Sequence, residues 1–570
     1  MTHDGNGVKN GVRASPRESR LGYLAPAVAA WALGMLLQFY PMLLSGMQKM
    51  EGNQSDSRLV NYILEHSYRW VLSMPGHESF WSPHVFFPAP DTAAYSDVLL
   101  GVAPLYWLWR LGGFAPDTAF QLWILSLATL NFALAFVLLV RGFRCRPVAS
   151  AVGALLLTFA AMRTSQVMHA QLVPLFYIEL ALLAILRIFA PEPRLRAGVQ
   201  MVERRTVWIF VLAAACVAQL YSSFYYGWFL CFALLLAALW SLLLPGARLR
   251  LFLTLRANAR ALAVAVVLSA LLLAPLATHY LGAKHQVGPR TFDLVDGMLP
   301  RVQSWAYFGA GSWVYGWLTP YVPFRGLPLE HEQQLGIGIA TALLAGWGLW
   351  LSRRRRSVQF CILVPLTMAL LATRWPGGFT LWRAVFVLVP GAGALRAVSR
   401  IGVAILFPAA IGIAYLVDAI SGPRRIPPSQ AAIRIRAQDR RRRAIIVLAI
   451  VTVIAAEQLG TPRSFDKASS REHVARIASM LDSTCDAFLY TSIGGVEDPW
   501  FYQLDAMWAS MNSGVPTING YSGNEPPGWF FYDIRVHTPE QDSVIRESLA
   551  RWEERWKLNP SRVCRVRTPG

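Results

Sequence analysis

The chain has 570 residues, of which 55% are hydrophobic and only 15% charged, with a mean hydropathy of +0.38. Soluble globular proteins are nearer a quarter charged, so this composition excludes a soluble enzyme, a disordered chain and a fibrous one. The formal net charge of +20 does not point to nucleic acid, because the arginines fall in short loops between long apolar blocks, where positive charge sets membrane orientation. Five Lys stand against 48 Arg.

Residues 1–20 are polar and carry Lys9, Arg13, Arg17 and Arg20. The apolar run from Leu21 to Ser45 is too long for a signal-peptide core, and no small-residue cleavage site follows it. It reads as an uncleaved first span with a cytoplasmic N-terminus. Further apolar runs lie at 118–140, 148–164, 170–190, 207–223, 226–245, 261–281, 334–352, 357–373, 401–420 and 444–460. Six basic stretches separate them: the N-terminus, Arg141/Arg144/Arg146, 194–205, 248–260, Arg353–Arg356 and 424–443. Eleven spans place all six on one side, as short Lys/Arg-rich cytoplasmic loops require. The same arithmetic makes the apolar stretch 97–113, with Pro104, Tyr106, Trp107 and Trp109, an interfacial or re-entrant helix. A further crossing there would flip every later basic loop.

The predicted fold class is therefore mostly α. It is a polytopic helix bundle at 21–460 with external loops at 46–117, 282–333 and 374–400, and a small external α/β domain at 461–570. Helices are expected there near 470–482 and 500–512, and a strand near 486–491. Cys485 and Cys564 are the only cysteines in that domain. They are compatible with a disulfide or with two unpaired thiols.

In the first external loop, residues 59–72 carry apolar side chains at rough helical spacing, which predicts an amphipathic helix on the membrane surface. Asp56 stands at its start. An Asp before a helix is ordinarily an N-cap; a carboxylate at the bilayer surface is also able to take a proton from a hydroxyl. The Pro- and aromatic-rich stretch 81–97 ends at Asp97. His169 and Gln171 lie at the mouth of a span, and Glu179 lies about two turns inside it, where an ionisable group is costly. Glu330, His331 and Glu332 form a second acidic cluster before the eighth run. Metal binding there is conceivable, although the spacing matches no recognised ligand motif. Arg383, Arg396 and Arg400 lie in the third external loop. Arg396 and Arg400 are i, i+4 and would share one face of a helix, a pairing suited to a phosphate; headgroup contact is the plainer use. In the C-terminal domain, Asn519, Tyr521 and Trp529 combine amides and aromatics in the manner of a carbohydrate surface or of a packed loop. No phosphate-binding glycine loop follows a strand, and no serine-hydrolase elbow occurs.

The combination of an N-in first span, an acidic first loop with an amphipathic helix, many spans, external arginines and an external C-terminal domain resembles the GT-C superfamily of integral-membrane glycosyltransferases. That resemblance implies a polyprenyl-phosphate-linked sugar donor and an active site on the external face of a bacterial inner membrane. Asp56 matches the family's first-loop catalytic carboxylate by position, and the Asp97 region matches its juxtamembrane helices. Ser55-Asp56 replaces the family's frequent Gly-Asp, Val102-Ala103-Pro104-Leu105 stands in place of the His-Pro-Pro-Leu signature of some branches, and no Trp-Trp-Asp motif occurs.

The resulting expectation is an inverting transferase. Asp56 serves as base, with Asp97, Glu330 and Glu332 as further catalytic or metal-holding carboxylates. Arg396, Arg400 and Arg383 take the donor phosphate. Arg58, His66, His169, Gln171, Asn519, Tyr521 and Trp529 are candidates for substrate contact. A divalent metal is compatible with this set. The expected partners are the lipid donor, a periplasmic glycan, lipid or protein acceptor, and membrane lipids, with no nucleic acid. The alternatives are a flippase or transporter working through Glu179, and a non-catalytic glycan-binding assembly protein.

Overall fold

The computed structural model describes residues 20–190, 198–422, 430–481 and 484–569. The N-terminal tail and parts of the basic stretches 194–205 and 424–443 lie outside them. Among the described residues, eight helices are long and apolar enough to cross a membrane: Tyr23–Leu44, Pro116–Gly142, Pro147–Thr164, Ala170–Ile188, Arg205–Ser222, Phe224–Leu243, Ala259–Val287 and Val398–Ser421. Pro116 and Pro147 open their helices, where a missing N–H costs nothing.

The apolar runs 334–352 and 357–373 are occupied by shorter helices, Ile339–Ser352 and Arg356–Ala372. The first begins five residues later than hydropathy suggests, for a local reason. Gly338 has φ +96°. The carboxylate of Glu457, on the helix Gln430–Gln458, accepts hydrogen bonds from the backbone N–H of Ala340 (2.8 Å) and Thr341 (2.7 Å) and from the Thr341 hydroxyl (2.7 Å). A buried acid on free helical N–H groups fixes that N-terminus. The same helix then packs closely on Leu406–Ser421: a Cβ on Gly348 would stand 1.8 Å from the Gly412 carbonyl oxygen. Small residues are what permit such contact between membrane helices.

Residues 97–113 hold no helix long enough to cross a membrane. They form a nine-residue helix, Ala103–Leu111, roughly 14 Å long at 1.5 Å per residue. The amphipathic prediction gives a helix at Asp56–Val71, but its setting differs from the expectation. Ten of its sixteen residues are buried by protein rather than resting on lipid. Arg58 pairs with Asp505 at 2.6 Å, Arg69 bonds the Met511 carbonyl at 2.5 Å, and the Tyr62 ring meets Trp508 edge-on. Its other side carries Glu65, which is fully buried and held by Arg69, Arg110 and the Tyr106 hydroxyl.

That cover is the C-terminal domain. Three parallel strands lie in the order Arg535–Val536, Ala487–Ile493, Val563–Pro569. Helices Lys467–Ala478, Pro499–Ser513 and Pro539–Trp556 accompany them. The central strand is apolar because both its faces are covered. Cys485 and Cys564 form a disulfide with Cα atoms 5.6 Å apart. The domain is stitched to the first loop in two ways. Ser464–Asp466 pairs antiparallel with Lys49–Glu51. Leu59, Tyr62, Val85, Phe86 and Ala89 of the loop share one apolar core with Phe488, Leu504, Met507, Trp529 and Trp552.

Candidate active site

Asp56 is the first residue of its helix, and it does not cap it. The Asn53 side-chain oxygen does so, accepting from the backbone N–H of Asp56 (2.8 Å) and Ser57 (3.3 Å). The Asp56 carboxylate is thereby released from the backbone. One oxygen accepts from the Tyr521 hydroxyl at 3.0 Å, and the other from the Asn53 amide at 3.3 Å. Burial, together with the adjoining Asp56 charge, holds the Tyr521 hydroxyl protonated well above the usual range, so Tyr521 is the donor.

His169 stands between two carboxylates. Its Nδ1 lies 3.6 Å from Asp56 and its Nε2 lies 3.4 Å from Glu332. Glu332 in turn accepts from Arg400 Nη2 (2.6 Å), Arg400 Nε (3.1 Å) and the Ser399 hydroxyl (3.3 Å). Burial alone would raise the Glu332 carboxyl, but Arg400 and His169 override it and hold it well below the usual carboxylate range. The result is one array, Tyr521–Asp56–His169–Glu332–Arg400, drawn from five separate parts of the chain. His169, His331 and Glu332 each offer a ligand atom within 4.8 Å of the others. Two imidazoles and a carboxylate are a donor set for zinc or a similar divalent ion.

Asp97 belongs to the same neighbourhood. Its carboxylate accepts from the Phe224 backbone N–H at 2.6 Å, at the start of the helix Phe224–Leu243. Burial pushes it up to about 6, against that bond and the nearby charges of Arg400 and His169.

The arginine pair is not one helical face. Arg396 precedes the 3₁₀ segment Val398–Ile405, and Leu395 before it is extended. The two side chains consequently diverge: Arg400 is buried against Glu332 and over the Tyr225 ring at 4.8 Å, whereas Arg396 is exposed. Arg396 is anchored through its backbone N–H, which donates to the Tyr225 hydroxyl at 3.1 Å. Its guanidinium acts on Tyr521 and on Glu525, whose carboxyl burial raises.

Several expected site residues have other work. Arg58 is spent on Asp505. His66 is buried, with Nδ1 2.8 Å from His77 Nδ1 and Nε2 3.0 Å from the Phe80 carbonyl oxygen. Asn519 is fully buried and bonds Tyr490 and Gln503 within its own domain. Trp529 is 1% exposed and donates to the Ile518 carbonyl. The carbohydrate-surface reading of 519–529 thus contracts to Tyr521. Glu330 is turned to the Tyr307 hydroxyl, and Arg383 lies over the Phe292 ring at 5.1 Å. Gln171, two residues beyond His169, leaves its side-chain oxygen buried without a hydrogen-bond partner. Glu179 is buried inside the bundle with Arg163 as its opposing charge.

Tyr225 and Arg290 were not singled out by the sequence. Arg290 bonds the Ala394 carbonyl and the Asn524 side chain (3.2 Å), tying the second and third external loops to the C-terminal domain. The signal for Arg290 was present: it is another arginine on the face where orientation requires none.

No protein-family model and no curated protein matches this sequence. Among solved structures, the archaeal oligosaccharyltransferase AglB from Archaeoglobus fulgidus, determined with an inhibitory peptide and a dolichol-phosphate, superposes with a TM-score of 0.54 at 10% identity. The match covers 94% of this chain and 68% of that one. The chain has a GT-C-like fold. Weaker likenesses are to the arabinofuranosyltransferase AftD from Mycobacteria (TM-score 0.45, 13% identity, 83% of this chain) and to ArnT from Cupriavidus metallidurans bound to undecaprenyl phosphate (TM-score 0.41, 12% identity, 95% of this chain and 88% of that one). The chain spans 30% of the length of the mycobacterial protein. In this GT-C-like fold, the array around Asp56 lies where the first loop, three further connections (at His169, Glu332 and Arg400) and the C-terminal domain meet at one end of the helix bundle.

Proposed function

We propose that this protein transfers a sugar from a polyprenyl-phosphate carrier to an acceptor hydroxyl at the external face of a bacterial inner membrane. The observation that carries the proposal is the Asp56 carboxylate. It is freed from capping, partly open, oriented by Tyr521 and set at the mouth of the bundle with the exposed guanidinium of Arg396 nearby.

In this scheme the acceptor hydroxyl approaches Asp56, which takes its proton as the new bond forms at the anomeric carbon. The bond from that carbon to the phosphate oxygen breaks on the opposite side, so the anomeric centre inverts. The electron pair of the broken bond stays on the leaving phosphate oxygen, and Arg396 stabilises the negative charge that develops there. Arg400 acts at one remove: it keeps Glu332 ionised, and Glu332 positions His169 beside Asp56. A divalent ion held by His169, His331 and Glu332 would supply Lewis-acid charge for the phosphate. Asp97 lies behind Arg400 and His169 and contributes to their field. The acceptor is a glycan, lipid or protein of the cell envelope.

The test is a single-turnover assay with purified full-length protein and a polyprenyl-phosphate lipid extract, following sugar release from the carrier by mass spectrometry. Asp56→Asn should lose transfer by at least a hundredfold while still binding the carrier. Tyr521→Phe should retain reduced transfer. Undiminished transfer by Asp56→Asn would remove Asp56 from the mechanism.

A further inference from the structure

We propose that Arg301, Arg325 and Arg374 form a phosphate-binding pocket separate from the Asp56 array. The pocket has a volume of about 400 Å3 and is lined by these three arginines with Gln303, Trp375 and the Gly326 turn. None of Asp56, His169, Glu332, Arg396 or Arg400 lines it.

The backbone sets the arginines together. Arg301 and Arg374 face each other in an isolated parallel bridge, and the Arg374 N–H donates to the Pro300 carbonyl at 2.8 Å. Bridged residues put their side chains on the same side. Arg374 Nε bonds Asp296 at 3.0 Å, and Arg301 Nη1 bonds the Asp296 and Leu299 carbonyls at 3.1 and 3.4 Å. Arg325 also lines the pocket, is exposed, and its guanidinium has no hydrogen-bond or ion-pair partner among the described residues. Asp296, paired with Arg374 and close enough to act on Arg301, is the one carboxylate bonded to the cluster, so the three arginines carry two net positive charges. Burial and the neighbouring Arg374 both work against the charge on Arg301, yet arginine does not give up its proton. Such a cluster is stable when an anion completes it. A dianion cancels the two charges where a carboxylate would cancel one. Forked N–H donors also match a phosphate's tetrahedral oxygens.

The pocket opens on the same end of the bundle as Asp56. Its wall continues as the strap 325–332, which delivers Glu330 and Glu332. A phosphate seated there is held beside the segment that completes the active-site array. That phosphate belongs either to a phospholipid headgroup or to a soluble or glycan-borne phosphate.

The experiment uses the full chain in maltoside micelles, which carry no phosphate. Inorganic phosphate is titrated at constant ionic strength against chloride, and the thermal midpoint is read. Every protein carries Arg396→Gln, so that the proposed donor site contributes nothing and failure of the transfer scheme does not decide the result. The parent should show saturable stabilisation. Arg325→Gln, a change at an exposed side chain bonded to nothing, should weaken apparent affinity about tenfold, the size of one lost charge-assisted bond. Arg301→Gln should do the same. Absence of a saturable phosphate effect beyond chloride, or equal affinity in parent and Arg325→Gln, would overturn the proposal. Added phosphatidylglycerol distinguishes the sources. Competition with phosphate in the parent, with lipid retained by the parent and lost from Arg325→Gln, supports the pocket and assigns it to a headgroup. Phosphate binding that is indifferent to the lipid supports the pocket and assigns it to a soluble or glycan-borne phosphate.

Discussion

Acidification should loosen the first-loop helix through His66. This imidazole is 2% exposed and sits between His77 and the Phe80 carbonyl oxygen. Burial lowers it from 6.5 to about 4, and lowers His77 to about 3. The folded values are depressed, so the stabilisation is complete above the ordinary histidine value and is lost as pH falls through 6.5 towards 4. At pH 5 the opened segment would be almost fully protonated at His66 and the folded one only about one-tenth so. The difference is roughly 2 kcal/mol, or about 30-fold in the local opening equilibrium, from His66 alone. The assay is hydrogen–deuterium exchange of peptides spanning 62–80 at pH 7.5 and 5, with rates divided by the intrinsic rate at each pH. Protection in the wild type should fall at least 30-fold, and His66→Phe should show a smaller fall on top of a lower starting value. Wild-type protection that stays constant down to pH 5 would refute the argument that burial keeps this histidine neutral.

Arg58→Met should destabilise the contact between the first loop and the C-terminal domain by about 3 kcal/mol, because it leaves the buried Asp505 with only His473, 3.7 Å away, as a counter-charge. The double variant Arg58→Met/Asp505→Leu should recover most of that in urea unfolding, and no recovery would contradict the pairing. Reducing Cys485–Cys564, which closes a separation of 79 residues, should cost the C-terminal domain about 4 kcal/mol or less; proteolysis of 484–569 that is unchanged by reductant would contradict this. Asp97, raised by burial to about 6, should place an acid limb near pH 6 in the transfer rate. That limb should vanish in Asp97→Asn, and its persistence there would assign it elsewhere.

Local properties were legible in the sequence. Each of the eleven apolar runs read from hydropathy falls on a helix, eight of them long and apolar enough to cross a membrane among the described residues, and 97–113 holds only the short helix Ala103–Leu111. The two helices and one strand read in the C-terminal domain came within a few residues because strand and helix patterns are short-range, whereas the helix Pro539–Trp556 and the strand Val563–Pro569 were not anticipated. What failed depended on distant partners. The helix Asp56–Val71 was amphipathic in the way a membrane-surface helix is, yet its apolar side meets Trp508 and its neighbours, some 450 residues away in the chain. Arg396 and Arg400 were assigned one face on the assumption of a helix, and the chain there is extended before a 3₁₀ turn. Asn519 and Trp529 resembled a sugar-binding surface because the same residue types also satisfy a buried loop. The Asp56–Tyr521 and Glu332–Arg400 contacts, 465 and 68 residues apart, have no local signature. Asp56 was found by its position at the start of the loop helix, whereas its release from capping by Asn53 is visible only in three dimensions.

The most direct measurement of the central claim is made in cells. The gene is deleted and restored as wild type or as Asp56→Asn at matched membrane levels, and envelope glycans are compared by mass spectrometry. The account predicts a sugar that disappears in the deletion, returns with wild type and stays missing with Asp56→Asn. Full restoration by Asp56→Asn would contradict it and leave the carboxylate a structural partner of Tyr521.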